Sequence, residues 1–284
     1  MAELIRLEDV GVLYEVHGHA PKQVLDKLQL TINRGEFVAV CGETGCGKST
    51  MLRLILGAER PTTGRVLIDG RELPRPDRNR GYVPQKYSLF PDKTVLDNIT
   101  FGPEVEEFGL WGRLKPAFRR RRNELREIAR GYLDEMGLQR SDAHKYPDQL
   151  SGGMQQRVAI AQALIMKPKI LLMDEAFSAL DPNTRNEMQC LVRKLWKECG
   201  ATILFVTHNV SEAIFLGTRV VILGKDTPES SSRVQVDLEI PESSRTASGY
   251  PCREEMDHLT KCIHNATRRD QALARQSASA VVAQ

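Results

Sequence analysis

The stretch GETGCGKS, residues 42–49, constrains this chain more than any other. It fits G-x-x-x-x-G-K-[ST] with Gly42, Gly47, Lys48 and Ser49 at the defining places, and Gly45 adds a third flexible position. The apolar run EFVAVC leads into it. STMLRLIL follows, with Leu52, Ile55 and Leu56 near one helical face. Strand, glycine turn, helix is the context in which backbone N–H groups converge on phosphate oxygens at a helix N-terminus. The expectation is a nucleotide-phosphate loop over Gly42, Glu43, Thr44, Gly45, Cys46, Gly47, Lys48, Ser49 and Thr50. Lys48 is expected to reach the β- and γ-phosphates, and Ser49 to ligate Mg²⁺.

A second pattern, ILLMDE at 170–175, supplies the other half of a hydrolytic site. Its apolar strand delivers Asp174 to the tip, where a carboxylate holds Mg²⁺ through water. The adjacent Glu175 is placed to polarise an attacking water, a role typically worth ~10²–10⁴ in rate. Together with the glycine loop, the pair argues for hydrolysis rather than nucleotide binding alone. A third stretch, LSGGMQQR at 150–157, also suits an anion. Ser151 is a good N-cap, and the dipole of the helix it opens favours negative charge. One chain thus carries two phosphate-facing devices about a hundred residues apart.

The remainder of the chain alternates strands and helices. Residues 4–40 read as short strands, and GRVLID and RGYVP as further ones. Residues 92–166 are helical in pattern, with a break at KYPDQLSGG. KILLMDEA, ATILFVTH and RVVILG are continuous apolar strands of the kind buried in a parallel sheet. A helix over 183–198 ends at Gly200. The alternation predicts an α/β fold with a parallel sheet. After Lys225, Ser- and Pro-rich linkers flank VQVDLEI, which alternates like a strand. Residues 252–275 form an amphipathic pattern with Met256, Leu259, Ile263 and Ala266 on one face, fit either to pack on the main domain or to bind a partner. The organisation expected is a domain over 1–225, its helical part about 89–166, and an extension over 226–284.

Composition narrows the function classes. The 284 residues are 41% hydrophobic and 27% charged, as in soluble globular proteins, and no apolar run approaches the ~18 residues of a membrane span. The N-terminus shows no secretory pattern. A net charge of +3 is too weak to argue for nucleic acid. Residues 113–130 hold eight basic and two acidic side chains, a local +6. That run is either a solvated helix face or a patch for anionic head groups or an acidic partner. The six cysteines form no short metal-ligand pair, and reduced thiols in a cytosolic compartment are the simplest account.

In their order, the glycine loop, YVPQ at 82–85, LSGGMQQR, LLMDEAFSALD and VTH at 206–208 resemble the nucleotide-binding subunit of an ATP-binding cassette transporter over residues 4–225. The resemblance implies a P-loop core with an antiparallel β subdomain and a helical subdomain. It also implies two cassettes facing head to tail, so that Ser151, Gly152 and Gly153 serve the ATP held by the other subunit's loop. Tyr14 resembles the aromatic that stacks on adenine, and Gln85 the glutamine that senses Mg²⁺. Asp181 resembles the aspartate that communicates across the dimer, and His208 the histidine that contacts γ-phosphate. Two departures are Ala176, where proline is common, and Gln162, where arginine is common.

The wording PDQLSGGMQQRVAIAQAL, DEAFSALDPNTR and VQVDLEIP is similar to importer ATPases of the nitrate, sulfonate and taurine group. This implies a second ATPase subunit, an integral membrane permease, an extracytoplasmic solute-binding protein and a peripheral position on the cytoplasmic face of the membrane. No nucleic acid is expected. Residues 86–112 are expected to form part of the groove for the permease. The longer EEFGLWGRLKPAFRRRR, with Trp111, is expected to sit toward the membrane or a partner. A soluble cassette ATPase acting on ribosomes or nucleic acid, and an exporter ATPase, stay open as alternatives.

Overall fold

The computed structural model describes residues 2–15, 21–72, 75–86, 88–109, 116–225, 231–246, 250–251 and 256–263. They fall into two compact units, Met1–Pro76 with Gly200–Gln284, and Asp77–Cys199. In chain order the elements are β1 (Glu3–Tyr14), β2 (Lys22–Asn33), β3 (Phe37–Cys41), α1 (Lys48–Leu56), β4 (Thr63–Ile68), β5 (Arg71–Glu72), β6 (Arg80–Val83), α2 (Val95–Phe108), α3 (Pro116–Glu135), α4 (Gly152–Leu164), β7 (Ile170–Asp174), α5 (Pro182–Cys199), β8 (Thr202–Val206), α6 (Val210–Leu216), β9 (Arg219–Lys225), β10 (Ser232–Glu239) and α7 (256–263).

In the first unit β3 lies between β8 and β9, parallel to both. Every residue of β3 and β8 is buried, as their unbroken apolar sequences require of strands covered on both faces. β10 runs antiparallel to β9 and touches β2 at Ser232 and Leu25. β1 pairs antiparallel with β2 and with β4. This is the parallel P-loop core with an antiparallel β subdomain. Of the short strands expected over 4–40, β3 is short at five residues, whereas β1 and β2 are longer, with 12 residues each. Register shifts between Leu7 and Val10 and between Val10 and Val12 break the two-residue alternation, and Asp9 stands there at φ 47°. Bulges split the pattern without ending the strand.

The chain after Lys225 completes this unit. Leu259 and Ile263 of α7 pack with Ala39, Cys41, Ala213, Ile214, Val220, Ile222 and Ile240, and Met256 lies against the same cluster. Of the two readings of this amphipathic helix, packing is what these residues do, at ~1.5–3 kcal/mol for each fully buried side chain. Ala266 lies outside the described residues.

In the second unit β6 and β7 pair in parallel, from Arg80↔Ile170 to Val83↔Met173. The helical stretch expected over 92–166 becomes α2, α3 and α4. The expected break at KYPDQLSGG holds a 3₁₀ turn, Pro147–Gln149, and another, Arg140–His144, precedes it. The basic run meets acids rather than solvent alone. Arg121 donates to Glu107 at 2.7 and 2.8 Å, and Arg122 to Asp97 at 3.0 Å and Glu104 at 3.2 Å. Arg126 donates to Asp97 at 2.6 Å. Much of the local charge is thus balanced within the unit, while Arg119 and Arg120 are exposed. Trp111 lies outside the described residues.

Candidate functional site

The first unit carries the glycine loop and the histidine at the carboxyl ends of two paired parallel strands. β3 and β8 are parallel with Val40 opposite Val206, so both open at their carboxyl ends, where ligands bind in such sheets. Thr207 N–H donates to Val40 C=O at 3.1 Å, which ties the two strand ends together. Beyond β3 the chain turns through Gly42, Gly45 and Gly47 at φ 154°, 81° and 93°. Space as well as φ selects glycine here: a Cβ on Gly42 would stand 2.2 Å from Leu223 C=O, and one on Gly47 2.7 Å from Leu25 Cδ2.

Gly47 is the N-cap of α1 and offers no capping side chain, and no acid stands in the first turn. The N–H groups that open the helix therefore have no side-chain cap competing with an anion. Lys48 is buried, and its Nζ donates to Gly42 C=O at 2.9 Å and Glu43 C=O at 2.8 Å. A cation held by carbonyls of its own loop is the counter-charge a phosphate needs. Burial raises the Cys46 thiol and pushes Cys41 up to about 12, so neither places a thiolate beside this loop at neutral pH. Glu43, Thr44 and Gly45 are exposed at the tip, Ser49 is half-buried, and Thr50 is buried.

His208 is exposed and its neighbours are fixed on either side. Thr207 hydroxyl donates to Glu212 and accepts from Asn209 N–H at 3.0 Å. Asn209 in turn caps α6 through Glu212 N–H at 3.2 Å. Tyr14 ends β1 half-buried, with its hydroxyl bonded to Glu59 and Arg53.

The second unit carries the carboxylates and the signature. The β6–β7 register places Gln85 and Glu175 each two residues past the pair Val83↔Met173, and Gln85 Nε2 donates to Glu175 Oε2 at 3.0 Å. The same amide nitrogen lies 3.4 Å from Ser178 Oγ. Asp174 is buried at the tip of β7 and accepts from Tyr82 hydroxyl at 3.4 Å. Glu175 adopts φ 45°, a left-handed conformation that costs a non-glycine residue of order 1–3 kcal/mol and clusters at functional sites. The loop after it is closed by Arg185, whose guanidinium donates to the carbonyls of Phe177, Ser178 and Leu180.

Asp181 accepts from Asn183 N–H at 3.2 Å and Thr184 N–H at 3.1 Å, so it caps α5. Hydrogen bonds from Thr184, side chain first, hold its carboxyl below the ordinary range. Ser151 caps α4 by accepting from Met154 N–H at 3.3 Å. Its hydroxyl proton is still a donor, so the capped helix can present it to an anion. Gly153 packs so closely that a Cβ would meet Thr184 Cγ2 at 2.6 Å.

The residue pattern does not single out Arg53, Glu59, Tyr82 or Ser178 as partners of Tyr14, Asp174 and Gln85. Their partners are 39 to 93 residues away in sequence, beyond any local spacing signal, except for the acid six residues after Arg53.

Residues 25–178 match the model of the ABC transporter family. The chain is 40% identical over 257 residues to an uncharacterized ABC transporter ATP-binding protein of Methanocaldococcus jannaschii, covering 90% of this chain and 91% of that one. It is 39% identical over 221 residues to the nitrate import ATP-binding protein NrtD of Synechococcus elongatus, covering 78% and 76%. Among solved structures it is similar to a dimeric post-hydrolysis state of the ATP-binding cassette MJ0796 bound to ADP and Pi. That similarity has a TM-score of 0.70 and 33% identity, over 84% of this chain and 99% of that chain.

Proposed function

The chain belongs to the ABC transporter family, and we propose that it is the ATPase subunit of a solute importer, paired with a second cassette beneath an integral membrane permease. It binds and hydrolyses ATP, as this family does. The observation that carries the proposed chemistry is the Gln85–Glu175 hydrogen bond at the carboxyl ends of β6 and β7. It holds a carboxylate on a strained backbone, beside the buried Asp174.

In this reading the N–H groups of residues 42–50 and the Lys48 ammonium hold the phosphates. Glu175 takes a proton from the attacking water, and His208 orients that water against the γ-phosphate. Tyr14 stacks on adenine. Ser49, Asp174 and Gln85 offer hard oxygen donors of the kind Mg²⁺ prefers, and the ion when bound neutralises charge on the phosphates. Ser151, Gly152 and Gly153 face the nucleotide of the second cassette, which explains two phosphate-facing devices in one chain, and Asp181 relays between the two. A closed pair that binds ATP more tightly than the open pair supplies the shift that turns the permease.

The relative named for nitrate import and the wording of the signature support a small solute of the nitrate, sulfonate or taurine kind, delivered by an extracytoplasmic binding protein. No helix among the described residues is long and apolar enough to cross a membrane, which is compatible with a peripheral place on the cytoplasmic face. Affinity purification from native membranes tests the assignment. A co-purifying permease that takes up one such solute in proteoliposomes only with ATP is the expected result. Ribosomes or nucleic acid in its place would contradict it.

A further inference from the structure

We propose that Arg53 and Glu59 are positioning residues that preset the Tyr14 ring for adenine; this rests on the reading of Tyr14 as the adenine-stacking residue. The Tyr14 hydroxyl donates to Glu59, accepts from Arg53 Nη2 at 3.1 Å and lies 3.4 Å from Thr50 Oγ1. Arg53 closes the network, donating to Glu59 Oε2 at 2.9 Å and to Thr50 Oγ1 at 3.1 Å.

The local fold explains how Thr50, Arg53 and Glu59 meet the more distant Tyr14. Thr50 and Arg53 are one turn apart on α1. Gly57, at φ 80°, ends that helix and turns the chain back, so that Ala58 and Glu59 N–H both donate to Arg53 C=O. The left-handed cap is what delivers Glu59 to the side chain of Arg53.

Fold stability is a poor explanation for this arrangement. The Arg53 and Glu59 side chains are 44% and 23% exposed, and ion pairs so open to water contribute little. Orientation is the better one. Tyr14 is anchored at its backbone by pairing with Lys22 in the β1–β2 ladder and at its hydroxyl by the network, which fixes both torsions of the side chain. A ring ordered before binding spares the ligand that ordering cost. Thr50 directly follows Ser49, so the network also ties the ring to the phosphate loop.

Calorimetric titration of the full chain with ATP and with inorganic tripolyphosphate tests this. Arg53→Ala, Glu59→Gln and Tyr14→Phe are each expected to raise the Kd for ATP by about 3- to 10-fold, the size of one or two lost hydrogen bonds. Tripolyphosphate, which lacks the base, is expected to stay within about twofold of the unaltered chain on the same reasoning. The Tyr14→Phe/Arg53→Ala double variant is expected to bind ATP no more weakly than the worse single variant, because both act through one hydroxyl. Unchanged ATP affinity in Arg53→Ala and Tyr14→Phe would overturn the proposal. Parallel losses for both ligands would also overturn it, since the network would then hold the loop rather than the ring. Failure of the underlying reading looks different: Tyr14→Leu would leave ATP affinity unchanged, and the clamp would fall with it.

Discussion

Gln85 and Glu175 are 90 residues apart in sequence, yet the amide of one donates to the carboxylate of the other at 3.0 Å. Parallel pairing of β6 with β7 creates the contact, because each side chain stands two residues beyond the last paired position. Glu175 thus has a fixed direction before any nucleotide arrives. Gln85→Ala is expected to lower ATP turnover by about 10-fold or more, within the range of a misdirected general base. ATP affinity is expected to change little, as equilibrium binding alongside steady-state hydrolysis will report.

Gly153 has a steric reason to be glycine as well as the proposed functional one. Its absent Cβ would sit 2.6 Å from Thr184 Cγ2. Gly153→Ala is expected to cost about 1–3 kcal/mol by overpacking. Thr184→Ser removes the obstructing methyl, so the double variant is expected to recover most of that loss in a urea melt. An additive double variant would show that strain elsewhere sets the cost.

The arginines of α3 differ in what they touch. Arg122 meets Asp97 and the buried Glu104, whereas Arg119 is exposed. Arg122→Glu is expected to lose about 1–3 kcal/mol of stability, through like charges placed against a carboxylate shielded from water. Arg119→Glu is expected to leave the melt unchanged and is the clean probe of whether this face meets a membrane or a partner. Charge reversal across 119–122 would confound the two effects.

Asp97 gives the same helix pair a pH dependence. Burial alone would raise its carboxyl, but the hydrogen bond and charge of Arg126, with Thr94 and Arg122, outweigh that and hold it below its ordinary 3.8. A depressed folded value means the stabilisation is present above about 3.8 and is lost as pH falls through the lower folded value. Asp97→Asn is therefore expected to destabilise the chain by about 1–2 kcal/mol at pH 7. The gap to the unaltered chain is expected to close in melts below pH 3.8.

The parts legible in the sequence were those whose chemistry is local. Gly42 to Ser49 carry their own spacing, Asp174 and Glu175 end an apolar run, and Ser151 announces a cap. The strand β10 and the apolar face of α7 were visible as alternation and helical periodicity. What pairing brings together was not visible. Nothing near Gln85 names Glu175, and nothing in β1 points Tyr14 at Glu59, 45 positions on. The basic run at 113–130 looked like a surface because its acids, Asp97, Glu104 and Glu107, lie on the preceding helix. The length of β1 was hidden by its bulges, which reset the alternation that marks a strand.

Steady-state ATP hydrolysis by the Glu175→Gln variant tests the central claim most directly. The carboxylate that ends β7 is proposed to activate the attacking water. The variant should therefore bind ATP with near-unaltered affinity and turn it over at least about 10²-fold more slowly. Turnover close to that of the unaltered chain would contradict the assignment and move the general base elsewhere.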